Sequence, residues 1–138
     1  MKRLTQLLLI GTFLPACWLL MQVLHELGHV LAAWATGGTV TKVVLHPLAI
    51  SRTGVSGSLH PLLVVWAGPV VGVVLPLVGF LLWRQAKLSA VYLVQFLAGT
   101  CLVANGAYVG VGAFDRIGDA GDLLRLGLQL RLCGCLVC

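Results

Sequence analysis

His25, Glu26 and His29 are the residues whose types and spacing could do chemistry. They stand in "MQVLHELGHVLAAW", Met21 to Trp34, within an otherwise apolar run. On a helix, positions four apart share a face, so both imidazoles point the same way and can grip one metal ion. Glu26 lies about 100° further round the helix. From there its carboxylate reaches a water at the metal without taking a coordination position. Paired membrane histidines can also serve only as hydrogen bonds between helices, but a carboxylate at this offset has no structural reason to accompany them. Two ligands are not enough, because a catalytic zinc takes three protein ligands and keeps one open position. The third must come from elsewhere in the chain. One source is His46 or His60, each preceding a proline in a loop and read more readily as a loop residue than as a ligand. The other is the remaining acids.

Those acids are few. Apart from Glu26, the chain carries only Asp115, Asp119 and Asp122, close together in "FDRIGDAGD". Nothing acidic lies between the two clusters. The chain is 59% hydrophobic and 9% charged, against about 25% charged in a soluble domain. It is therefore a membrane protein, and the lack of a charged surface excludes a soluble zinc peptidase domain. Ionisable groups at membrane depth are costly and usually functional, so the two acid clusters belong in one reading. The net charge of +5 comes from scattered lysines and arginines. No basic stripe with interleaved aromatics exists, which excludes nucleic-acid binding. Lys2, Arg3, Arg84 and Lys87 fall on one side of a three-span chain, Lys42 and Arg52 on the other, and this balance favours a cytoplasmic N-terminus.

The elements that must position these residues can be read from the apolar runs. Length bounds the chain to one domain, residues 1–138. Leu4 to Leu24 carries no charge, and the apolar character continues to Ala35, so a span over about 4–35 is long enough to cross a bilayer. "LPAC" imitates a lipoprotein cleavage box, but the apolar run passes straight through Cys17, so an uncleaved helix is expected. Gly37 and Gly38 end it. Residues 36–61 form a loop at the membrane surface, where the β-branched residues between Val40 and Ile50 favour a small hairpin or pair of strands. A second span covers about 62–83, and Pro69 and Pro76 predict a kink or break in its middle. A third covers about 88–110, leaving "VGAFDRIGDAGD" as an irregular exit, with Asp122 capping the next helix and Asp115 paired with Arg116. Residues 123–138 read as an amphipathic tail or partial span. Cys17 and Cys101 are expected as buried hydrophobes. Cys133, Cys135 and Cys138 lack a second pair of metal ligands and read as an ordinary tail. The class is thus an α-helical polytopic membrane protein with three or four spans and a short hairpin-like loop after the first.

The motifs carry a resemblance to a known family. "HELGH" followed by "VLAAWATGG" resembles the site-2 protease family of intramembrane zinc metalloproteases. "WAGPVVG", Trp66 to Gly72, looks like that family's Gly-Pro motif, and "GDAGDLL" like its Asp motif, with Ala120 in place of the first glycine and a longer spacing from Asn105 than the family pattern. The resemblance covers most of Gln22 to Leu124. It implies His25 and His29 as zinc ligands, Glu26 as catalytic base, Asp119 as third ligand with Asp115 as the alternative, and one zinc ion per chain. It also implies a substrate-positioning or oxyanion role for Asn105, and room for substrate beside Gly68 and Pro69.

The implied function is hydrolysis of peptide bonds within or near the bilayer of a multi-pass, bacterial-type cell membrane. The substrate is a transmembrane or membrane-proximal protein; the residues give no oligomeric state. Such a substrate must unwind, because a helix hides its backbone in hydrogen bonds, and the loop strands are placed to hold the freed segment by edge pairing. The alternative is a non-proteolytic zinc-binding membrane protein, either a pseudoprotease adaptor or a metal carrier. An adaptor would be expected to have lost Glu26, and a carrier to repeat its ligands along a path.

Overall fold

The computed structural model describes residues 2–135, with side chains over 3–127. Four helices and one two-stranded sheet succeed one another in the order α1 (Lys2–Ala35), β1 (Thr39–Val44), β2 (Arg52–Ser56), α2 (Pro61–Gln85), α3 (Val91–Asp115) and α4 (Gly118–Cys135). The first three helices are long and apolar enough to cross a membrane. Leu8, Trp34, Leu63, Leu82 and Val103 all point outward. In water such a surface would aggregate; against lipid it is the stable arrangement. The polar groups go inside instead. Gln22, His25, Glu26 and His29 are all buried. Their spacing of three, four and seven residues puts them on one face of α1.

At about 1.5 Å per residue, the 34 residues of α1 extend roughly 51 Å, well beyond a hydrocarbon core of about 30 Å. Pro15 lies inside it without ending it. The helix closes where the sequence predicts, with Gly37 at positive φ and the Gly38 N–H donating to the Ala33 carbonyl. β1 and β2 pair antiparallel from Thr39 opposite Ser56 to Val44 opposite Arg52, with an irregularity between Val40 and Lys42. Ile50, expected in a strand, instead belongs to the connection between them.

That connection folds back along α1. Trp18 Nε1 donates to the Pro47 carbonyl at 2.9 Å and Gln22 Nε2 to the Ala49 carbonyl at 3.2 Å. A small apolar core of Ala32, Ala33 and Val64, flanked by Val40, Val55 and Ala67, joins the hairpin to the start of α2.

Two expectations need correction. Of the kink or break expected in α2, the break is absent, since the helix continues through Pro69 and Pro76; in a membrane helix, neighbouring groups can take up the carbonyls a proline leaves free. The exit from α3 is not irregular. α3 continues past Gly110 to Asp115, and α4 begins at Gly118. Arg116 and Gly118 at positive φ make the turn between them. Ile117 N–H donates to the Gly112 carbonyl and Gly121 N–H to the Ile117 carbonyl, which ties the reversal to both helices. α4 therefore starts before residue 123, and Asp122 sits inside it rather than capping it. Cys17 and Cys101 are buried, as expected. The side chains of Cys133, Cys135 and Cys138 lie outside the described residues.

Candidate metal centre and active site

Four elements, α2, α3, α4 and β2, meet the buried face of α1. His25 Nε2 lies 2.8 Å from Asp119 Oδ2, His29 Nε2 lies 3.2 Å from the same oxygen, and the two Nε2 atoms are 3.2 Å apart. Asp119 sits in the first turn of α4. The tight α3–α4 reversal swings it back over the imidazoles. Burial pushes its carboxyl up, but the facing imidazoles outweigh that and hold it down at about 2. It is a carboxylate at any ordinary pH.

The outer nitrogens fix what the inner ones present. His25 Nδ1 lies 2.6 Å from Asn105 Oδ1, and His29 Nδ1 lies 2.8 Å from the Val64 carbonyl oxygen. The Asn105 orientation is set because its Nδ2 donates to the Cys101 carbonyl at 2.8 Å. Both partners are then acceptors, so both Nδ1 atoms must donate. In a neutral imidazole the other nitrogen then carries a lone pair. With both imidazoles neutral, two lone pairs and a carboxylate oxygen converge with no hydrogen among them, and either a proton shared with Asp119 or a metal cation relieves the repulsion. The donor set fits zinc, which takes nitrogen and oxygen at about 2.0–2.2 Å; in a tetrahedron such ligand atoms stand roughly 3.3–3.6 Å apart. The observed separations are slightly shorter. Orienting a ligating histidine through its second nitrogen is what metal sites generally do.

Local sequence explains the crossing of α1 and α2. A Cβ on Gly68 would overlap the His29 ring, and one on Gly28 would overlap the Ala67 carbonyl. The missing side chain at Gly68 leaves a notch, and through it His29 reaches the carbonyl one turn earlier, at Val64. Gly68→Ala is therefore expected to displace the imidazole and weaken zinc binding by about 10–100-fold, the usual loss when an outer-shell support is removed. A metal-competition titration checks this; wild-type affinity in the variant would refute it.

Tyr108 completes the support from α3. Its ring meets His25 edge-on, with centroids 5.5 Å apart, and its phenol lies against the α3–α4 turn at Gly118. Gly118, at positive φ, has no room for a side chain beside that phenol. Glu26 is buried beside the cluster, and Thr53 Oγ1 donates to its Oε2 at 2.5 Å.

Of the predicted site residues, His25, His29, Asp119 and Glu26 come together. Asp115 ends α3 exposed, outside the cluster, and makes no ion pair with Arg116 among the described residues. Asp122 pairs with Arg125 at 3.6 Å on the surface. His46 is exposed and its Nδ1 accepts the Leu48 N–H, while His60 precedes α2 as an exposed residue. Asn105, expected to face substrate, uses its amide on His25 and on its own helix. Gly68 shapes the seat of His29, and Pro69 is buried in α2. Thr53, Tyr108 and the Val64 carbonyl were not foreseen. Tyr108 carried a signal, since it lies three residues after Asn105 on the same face of α3.

One comparison decides the family. The family model described as Peptidase M50B-like matches residues 5–111, most of the chain. The chain belongs to the Peptidase M50B-like family. No curated protein and no solved structure gives a significant match. The matched span of this M50B-like chain holds His25, Glu26, His29, Gly68 and Asn105, and ends before Asp119. The resemblance to site-2 proteases read from its motifs stands. In this chain a helical membrane scaffold presents H-E-x-x-H from α1, the first of its candidate spans. Asp119, beyond the matched residues, is brought to the cluster by the fold itself.

Proposed function

We propose that this protein is a zinc-dependent intramembrane endopeptidase acting on membrane-embedded or membrane-adjacent proteins. The observation that carries the reading is the convergence of His25 Nε2, His29 Nε2 and Asp119 Oδ2, all within 4.8 Å of one another, with Glu26 buried one residue away. Those three atoms would hold the ion. Zinc supplies Lewis acidity, polarising a carbonyl and letting water ionise near neutral pH.

Each residue of the chain then has a part. Glu26 takes a proton from the attacking water and returns it to the leaving amine. Asn105 and the Val64 carbonyl hold the imidazoles in the ligating tautomer. A cleft of about 480 Å³ opens beside the cluster, lined by His29 and Asp119 on one side and by Thr53 and Val55 of β2 on another. An unwound segment lying in it would run past the strand, which supports β2 as the edge that holds substrate backbone. Hairpin-deleted protein that cleaves as well as wild type would overturn that clamp.

Among the described residues this is the one cluster of possible metal ligands; a carrier would need several along a path. The test is cleavage of a model transmembrane substrate by detergent-purified protein before and after chelation. Activity should vanish with the metal and return with added zinc. Unchanged cleavage by metal-free protein would sink the reading.

A further inference from the structure

We infer that Thr53 is a positioning residue for the base: its hydroxyl holds the Glu26 carboxylate so that Oε1 is the oxygen that takes the proton. The inference rests on the peptidase reading above. Thr53 Oγ1 donates to Glu26 Oε2 at 2.5 Å, within the short range of hydrogen bonds from hydroxyls to charged oxygens. Glu26 is 2% exposed, and its Oε1 has no hydrogen-bond partner among the described residues. Leaving a buried carboxylate oxygen unmatched is costly. One oxygen is therefore committed to the protein and the other is kept for a donor that arrives with the reaction.

The hairpin is built to place that hydroxyl. Trp18, Gln22 and Glu26 succeed one another at intervals of four along a single face of α1. They meet Pro47, Ala49 and Thr53 in the same order along the hairpin chain. Two anchors thus fix the strand before it reaches the base, and pairing with Val43 fixes it from the other side. The β-branched side chain of threonine has few rotamers to choose from, which keeps its hydroxyl aimed. Thr53 also lines the cleft with His29 and Asp119, so this bond closes one wall of the reaction space.

The proton balance is simple. Water gives one proton to Glu26 Oε1 while its oxygen bonds to the scissile carbon. As the C–N bond breaks, that proton passes from Oε1 to the amine, and the carboxylate returns to its starting form. The Thr53 proton stays on Oγ1 throughout.

Glu26 is the only glutamate in the chain, so protein made with 13Cδ-labelled glutamate reports on this carboxylate alone. Thr53→Val keeps the branched shape and loses the hydroxyl; Thr53→Ser keeps the hydroxyl. In the zinc-loaded protein, Thr53→Val is expected to retain one zinc per chain and an unchanged KM. Its kcat should fall about 10–100-fold, the range expected for one hydrogen bond to a charged group. Thr53→Ser should recover most of that loss. The Glu26 resonance should move in Thr53→Val and stay in place in Thr53→Ser. Wild-type kcat in Thr53→Val, a Thr53→Ser variant as slow as Thr53→Val, or a loss confined to KM would each overturn the inference. If the wild type cleaves nothing, it is the peptidase reading that fails. An unmoved resonance in Thr53→Val overturns the Thr53 assignment whatever the activity.

Discussion

Asp119→Ala protein, purified in detergent, is expected to hold no stoichiometric zinc, while Asp115→Ala holds one ion per chain. Asp119 brings a carboxylate to the two imidazoles, and its Oδ2 faces both. Without it, two nitrogens remain where a catalytic zinc needs three protein ligands. The loss must exceed the 10–100-fold typical of removing an outer-shell partner, because a direct bond to the ion is gone. Asp115 is only four residues away, yet it ends α3 and lies exposed. Metal analysis of the two variants side by side decides the matter. Full occupancy in Asp119→Ala with loss in Asp115→Ala would reverse the assignment.

Glu26→Gln should give the opposite pattern, with zinc retained and cleavage lost. Glutamine keeps the size of the side chain and an oxygen for Thr53, so the buried face of α1 is preserved. It cannot take a proton from water. General acid–base catalysis is typically worth about 10²–10⁴-fold, and a loss of that order in kcat is expected. Cleavage at the wild-type rate would remove Glu26 from the mechanism. Between them, the two variants separate holding the ion from using it.

The parts of this site that were legible in the sequence are those whose geometry is local. His25, Glu26 and His29 fall on one stretch of one helix, so their relation comes from helical repeat alone. The three spans are set by the length of the apolar runs, and the closure of α1 by Gly37. Asp119 was reached only through a resemblance, because no periodicity connects residue 25 with residue 119. The supports were the hardest to foresee. The Val64 carbonyl is a backbone atom that any residue could offer, and it reaches His29 because Gly68 leaves a notch in the neighbouring helix. Thr53 is one of several threonines in the loop, and its importance depends on the hairpin folding back beside α1 rather than away from it. The extension of α3 to Asp115 was missed because its glycines suggested an end; Gly112 instead gives up its carbonyl to the reversal after Asp115.

The separations along the chain carry a consequence for how the protein is made. Thr53 reaches Glu26, and Gln22 reaches Ala49, across 27 residues each. Asp119 reaches back 94 residues to His25 and 90 to His29. A ribosome releases the N-terminus first. The base, both imidazoles and the hairpin can therefore assemble while the carboxylate has yet to be synthesised. On the zinc reading, the nascent chain would lie in the membrane during that interval with its metal site one ligand short. If the peptidase reading holds, hydrolytic competence arrives late, when α4 turns back onto α1. The residue order would thus act as a built-in delay during synthesis.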